Sequence, residues 1–448
     1  MSYPNYRLPL QGIRIIDMTV VWAGPFTTVL LSDMGAELIR VESLEFPDYN
    51  TRGQAIVPDA TQGSGGSYPD NVAGDRPWNR NSNFNTTGRN KKSVTMDITR
   101  PEGKAAFLRL VQACDMFIEN NSAGVIDKLG ITWDVLSQVN PRLIMISMSG
   151  FGHSGPYKGY RAFGANMEAI VGHTLLRGYP DRDATDTSPV FLADAAGGSV
   201  GAFAMLAALR HRNRTGKGQY IDMSQAENIG HFLSQAVMDY SMNGRVQGTL
   251  GNRDPAWAPQ GVYRCAGADD WLAISVRDDA EFAALCQQMG QPQLATQERF
   301  AGNLQRLRNH DTLDELIGAW TADKERNVLF RQLQGAGVPA GPVYPASGVF
   351  GDEHLRARDM WQHVTLPDAG THWYLKPTAG HMSRTPLAIW EPAPNMGADN
   401  EYVYKQVMGF TDAEYQAMVD AGHIGTEYTV ARKAREAREA AAVRGGGG

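Results

Sequence analysis

The first forty-odd residues constrain the fold more than any other part of the chain. "GIRIIDMT" is a short apolar strand, "GPFTTVLLSDMGA" a helix closed by Gly35, and "ELIRVES" a second strand. Strand, helix and strand at this spacing form a βαβ unit, and a crossover of that length joins parallel strands. More strand signals follow in "KSVTMDI", "DMFIEN", "RLIMISMSGFG" and "QYIDMS", separated by helical stretches such as "PEGKAAFLRLVQAC", with Pro101 in its first turn. The expected class is therefore α/β around a parallel sheet.

At 448 residues the chain is long for a single core. Its texture changes in the middle. "APQGVYRCAGADDWLAISV" reads as two antiparallel strands, followed by helices with short connections. We expect a large domain from 1–225 and 335–448 and a smaller α+β domain from 226–334. Residues 44–90, polar and rich in Gly, read as a long loop insertion, and loops of that length are commonly functional.

A net charge of −6 and a pI near 6.0 argue against nucleic acid as the main partner. Three cysteines far apart, Cys114, Cys265 and Cys286, suggest neither a disulfide framework nor a zinc site. No apolar run approaches the roughly 20 residues of a bilayer span, and the N-terminus lacks signal-peptide character. These features predict a cytoplasmic protein without a membrane partner. "GFGHSGP" lacks the spacing of a phosphate loop, and ten scattered histidines without HExxH suggest no metal.

One carboxylate stands out. In "FLADAAGGSVG" the only charge is Asp194, between an apolar run and the pair Gly197 and Gly198, ahead of a long helix. An Asp there can cap the helix, accepting first-turn N–H groups. Alternatively, "PVFLA" is a buried strand and Asp194 stands at its end facing a crevice, with the glycine N–H groups open to an oxyanion.

The chain resembles the family III CoA-transferases over almost its whole length. The likeness rests on "LPLQGIRIIDMTVVWAGPFTTVLLSDMGAELIRVE", "NKKSVTMDI", "IENNSAGVIDKLGITWDVLSQVNPRLIMISMSGFG", "ALRHRNRTGKGQYIDMSQAEN", "GNRDPAWAPQGVY", "GVPAGPVY" and "APNMGADNEYVYKQVMGFTDAEYQAM", in that order. The resemblance implies a Rossmann-like large domain, a small middle domain and two subunits interlocked as rings, identical or paralogous. It implies that Asp194 is the nucleophile, with Gly197 and Gly198 beside it. It also implies that an acyl-CoA, possibly succinyl-CoA, and a free carboxylic acid are substrates and that no cofactor is tightly held. Val21, Trp22 and Ala23 would cover the CoA pantetheine, Asn120 would lie by the thioester, and Arg40, Lys91, Lys92 and Lys128 would offer charge to the phosphates. Tyr49, Tyr68, Trp78 and Phe84, with Arg52, Arg76 and Arg80, are candidates for shaping an acceptor pocket within 44–90. Two rivals share the fold. One is a 2-methylacyl-CoA racemase, whose His-Asp pair is here Ala165 and Asn166, with Glu168 read as a solvated helix residue. The other is a non-catalytic CoA-binding protein.

Overall fold

The computed structural model describes residues 4–57, 68–188, 190–377 and 380–445. The chain divides into two compact units. The first comprises Met1–Val171, Val190–Ser234 and Met360–Gly448, and the second Gly172–Pro189 and Gln235–Asp359.

The first unit is built on six parallel strands: β1 (Arg14–Met18), β2 (Glu37–Glu42), β3 (Lys91–Thr95), β4 (Met116–Glu119), β5 (Ile144–Ser147) and β6 (Gln219–Asp222). Their order across the sheet is β3-β2-β1-β4-β5-β6. The chain runs outward from β1 to one edge, then returns to start the other half at β4. The order therefore reverses between β1 and β4, and the crevice beyond the carboxyl ends of those two strands is where such sheets bind ligands.

Alternate residues of each strand feed opposite cores, so the strands read as continuous apolar runs. Ile16, Ile39 and Phe117 join Phe107 and Leu110 on one face. Ile15, Leu38 and Met116 join Leu31, Met205 and Leu209 on the other. Leu31 belongs to α1 (Ala23–Asp33). Gly35 follows with φ 96°, a turn that only glycine makes without strain.

Residues 44–90, expected to be one long loop, contain among the described residues two short α-helices, α2 (Pro77–Arg80) and α3 (Ser82–Thr87), after a single 3-10 turn at Pro69–Asn71. Proline at the first position of α2 and the Asn81 side chain accepting the Asn83 N–H ahead of α3 supply the start signals. Residues 58–67 of that stretch lie outside the described residues. Further along come α4 (Pro101–Gln112), α5 (Val125–Leu129), α6 (Gly164–Ile170), α7 (Leu192–Thr215) and α8 (Gln225–Phe232).

One helix among the described residues, α7, is long and apolar enough to cross a membrane by length and composition, with a mean hydropathy of 1.5. The expectation of no such run is corrected, but the reason for the apolarity is internal. Ala202, Met205, Ala208 and Leu209 pack into the sheet's second core. Gly198 lets α7 lie directly on α1, since a Cβ there would come within 2.5 Å of the Phe26 ring.

The second unit has its own core and a three-stranded antiparallel sheet, β7 (Gln260–Arg264), β8 (Trp271–Ser275) and β9 (Ala340–Val343), in that order. The expected boundary at 335 falls short of its end. "GVPAGPVY", expected within the returning large domain, supplies β9, which pairs Ala340 with Ile274 and Val343 with Trp271. Back in the first unit, Trp361–Leu366 and Gly370–Leu375 form an antiparallel hairpin.

Candidate active site

Asp194 is the third residue of α7, not its cap and not the end of a strand. Leu192 and Ala193 are already helical, and the chain turns into the helix through Phe191 at φ 52°. No side chain caps the first turn through the N-cap residue. Asp194 is only 7% exposed. Its Oδ1 accepts the Ala23 N–H at the start of α1 at 3.3 Å. Its Oδ2 lies against Gly164, where a Cβ would stand 2.6 Å away. Burial pushes the Asp194 carboxyl above the usual carboxylate range, the Ala23 N–H pulls it back, and the charge of Glu168 adds to the rise.

The helix position also decides what Gly197 and Gly198 do. They are the sixth and seventh residues of α7, beyond the first four N–H groups that a helix leaves open. Their N–H groups belong to the helix ladder, so the expectation that they form an oxyanion hole is corrected. Gly198 serves the close contact with α1, and Gly197 lies beside Gln225, whose Oε1 a Cβ would meet at 3.5 Å.

Opposite Asp194 lies the loop after β1, held on every side. Thr19 donates its N–H and hydroxyl to Asp17 Oδ1, and its carbonyl accepts Arg40 Nη1 at 2.9 Å. Asn120, just after β4, closes the switch point: Oδ1 accepts the Val20 N–H at 2.7 Å and Nδ2 donates to the Val20 carbonyl at 2.8 Å. The Val21 N–H donates to Thr51 Oγ1 at 2.8 Å. These bonds hold Val21 at φ 66°, a conformation that β-branched residues seldom adopt.

That framework reassigns the predicted cations. Arg40 is buried and paired with Glu42 and Asp48. Lys91 is buried beneath α1, with Nζ 2.7 Å from Thr28 Oγ1 and 3.2 Å from Asp17, and burial lowers its pKa to about 8. Both hold the loop and neither is open to a phosphate, because each is spent on a buried carboxylate. Lys92 is half-buried between Glu391 and Asp399, over the Tyr402 ring. Lys128, on α5 after Asn120, is the exposed one of the four.

A cavity of about 490 Å³ opens onto the carboxylate. Val21, Trp22, Phe163, Gly164 and Phe191 wall it together with Asp194. The Trp22 and Phe191 rings meet edge to face at 6.3 Å. Asn50, Asn83, Thr86 and Thr87 complete the lining. The 44–90 stretch thus reaches the site, but not through the residues expected. Trp78 and Phe84 are buried in core clusters, and Arg52 is fully buried between Glu42 and the Phe84 ring. Arg76 and Arg80 are tied to Asp368, and Tyr49 and Tyr68 are not in the lining.

The reading of Glu168 as a solvated helix residue is corrected. It is fully buried, and its Oε1 accepts the Ala193 N–H at 3.4 Å in the first turn of α7. The available signal was its spacing from Gly164, one helical turn away on the face shared with buried Met167. Among the described residues no group of three or more His, Cys, Asp or Glu could hold a metal.

A family model described as CoA-transferase family III matches residues 10–400. The chain is 33% identical over 430 residues to the succinyl-CoA–D-citramalate CoA-transferase of Chloroflexus aurantiacus, covering 95% of this chain and 100% of that protein. It is 32% identical to the succinyl-CoA–L-malate CoA-transferase beta subunit of the same organism, covering 92% and 98%. Among solved structures it is similar to a CAIB/BAIF family protein from Brucella suis, at a TM-score of 0.77 and 31% identity, covering 90% and 100%.

Proposed function

The chain belongs to CoA-transferase family III and is an enzyme of CoA transfer, and from that premise we propose that it moves CoA from an acyl-CoA, succinyl-CoA among them, to a free carboxylic acid through covalent catalysis at Asp194. The observation that carries this reading is the buried Asp194 carboxylate, one oxygen held by the Ala23 N–H and the other against Gly164, at the wall of a cavity.

The steps balance without a proton. The Asp194 carboxylate attacks the thioester carbonyl, the C–S bond breaks, and an aspartyl–acyl anhydride forms with CoA thiolate released. The thiolate attacks the aspartyl carbonyl, giving an aspartyl–CoA thioester and the donor's carboxylate. The acceptor carboxylate then attacks that thioester, forming a new anhydride and freeing the thiolate. Attack of the thiolate on the acceptor's acyl carbon yields the new acyl-CoA and restores Asp194. Burial strips the carboxylate of its water and keeps water from the anhydride. At the aspartyl carbonyl, negative charge develops on an oxygen already facing the Ala23 N–H, at the positive end of α1.

Val21, Trp22 and Ala23 are proposed to line the path of the pantetheine, with Asn120 fixing that loop and Lys128 the remaining candidate for a CoA phosphate. The chain is proposed to act as a dimer of identical or paralogous subunits in the cytoplasm, where its three free, buried cysteines stay reduced. One relative is itself named as a beta subunit. Racemisation lacks support at its expected bases: Ala165 cannot titrate, and Asn166 Oδ1 accepts the Phe163 N–H at 3.0 Å.

Incubating the enzyme with succinyl-CoA and hydroxylamine should leave a modified peptide at Asp194, found by mass spectrometry. Asp194→Asn should abolish both the adduct and transfer. Transfer by that variant within about tenfold of wild type overturns covalent catalysis.

A further inference from the structure

Resting on the reading of Asp194 as the transferring carboxylate, we infer that Phe191 is a positioning residue: its ring is held in a strained place beside Asp194 to keep water from the aspartyl intermediates, and so sets the balance between transfer and hydrolysis.

Phe191 stands at the N-cap of α7 with φ 52° and ψ 37°, in the left-handed region. A bulky L-residue is disfavoured there, and Gly or Asn is the usual occupant. The same position is where Ser, Thr, Asp or Asn would give a helix a side-chain oxygen. Phenylalanine has none to give. The first turn manages without it: the Phe191 carbonyl accepts the Asp194 and Ala195 N–H groups at 3.2 and 3.3 Å, and Glu168 takes that of Ala193. On both counts stability alone would favour Gly or Asn at 191, and strain of this kind gathers at functional sites.

What the strain secures is the place of the ring. The point that a Gly164 Cβ would occupy is 3.5 Å from Phe191 Cδ1 and 2.6 Å from Asp194 Oδ2, so ring and carboxylate oxygen lie against the same glycine. The ring also meets Trp22 edge to face. Trp22 follows Val21, itself left-handed at φ 66°, and precedes Ala23, whose N–H holds Asp194 Oδ1. Two strained residues therefore set one aromatic pair beside the nucleophile. Both rings are partly exposed and line the cavity, so the pair is a wall of the site and not core packing.

Water is the competitor at the aspartyl–CoA thioester. Its attack forms a C–O bond and breaks the C–S bond. Asp194 returns as carboxylate, one proton of the water goes to the CoA thiolate and the other to solvent, and the thioester is lost. An aromatic wall offers an approaching water no hydrogen bond, while an acyl chain can lie on it.

The test uses succinyl-CoA with labelled succinate. Label entering the thioester measures transfer, and net release of CoA thiol measures hydrolysis. Phe191→Asn and Phe191→Gly both suit the left-handed backbone and both remove the ring. They should keep or raise the urea midpoint, yet raise the ratio of hydrolysis to exchange by about tenfold or more. Phe191→Tyr, which restores a ring, should bring that ratio back towards the wild-type value. A ratio within about threefold of wild type in both ring-less variants overturns the inference and leaves covalent catalysis standing. So does a loss of exchange that only follows a lowered urea midpoint, with the ratio unmoved. Absence of a hydroxylamine-trapped adduct at Asp194 in the wild type overturns the Asp194 reading itself.

Discussion

Gly164→Ala isolates the placement of the Asp194 carboxylate from the stability of the fold. An alanine Cβ at 164 would stand 2.6 Å from Oδ2, whereas ordinary van der Waals contact begins at 3.4 Å. The carboxylate must therefore retreat by roughly 0.8 Å, the difference between those two distances, and a misplacement of about 1 Å at a reacting group costs on the order of a hundredfold in rate. The retreat also strains the bond from Ala23, already long at 3.3 Å. The backbone itself tolerates the change, because Gly164 is a helical residue whose φ lies outside the left-handed region. Alanine favours a helix by about 0.5–1 kcal/mol over glycine, which offsets part of the crowding. The expected outcome is an unchanged urea midpoint, unchanged CoA affinity and a kcat about a hundredfold lower, with less trapped adduct. A kcat within about threefold of wild type, in a variant shown to fold, would refute the placement of Oδ2.

Other perturbations separate structural from chemical roles. Asn120→Ala removes both bonds to Val20 and should cost about 1–3 kcal/mol of stability, read by urea unfolding, with a loss in kcat/KM from the loosened loop. Lys91→Met should destabilise by about 3 kcal/mol, because Asp17 loses a buried partner, yet leave CoA affinity unchanged by calorimetry; weaker CoA binding in the folded variant would restore the phosphate role. Transfer requires an ionised Asp194, and its carboxyl is raised chiefly by burial, so activity should fall as pH drops through a value above the ordinary Asp pKa of about 3.9. A pH profile of kcat/KM whose acid limb lies at or below that value would contradict the burial argument.

The parallel sheet was legible because its strands are apolar on both faces, and the βαβ spacing at 12–43 admits little else. The nucleophile candidate was legible as the sole charge in an apolar, glycine-bearing stretch. What surrounds it was not. "PVFLA" is an apolar run that suits a strand or a first helical turn equally, so the chain's local pattern could not place Gly197 and Gly198 inside a helix. Arg40, Arg52 and Lys91 looked like free cations because their partners are chosen by the fold. Lys91 meets Asp17 across 74 positions of sequence, and Arg52 pairs with Glu42 in the space under α3. Glu168 is charged and seemed solvated for the same reason: its burial depends on α6 packing against α7, which no pattern within α6 reveals.

Helix α7 carries Asp194 in its first turn and, further along, is part of the sheet's core through Ala202 and Met205. The carboxylate therefore has no hinge of its own. It is one end of a stiff rod whose middle is clamped, and a small rotation of that middle is transmitted to the tip. Substitutions at Met205 or Leu209, far from any substrate, are in this sense mutations of the site. A heritable change that merely loosens the core would register first as poor catalysis and only later as unfolding, so a survey of inactive variants would find many of its hits among residues that no ligand touches.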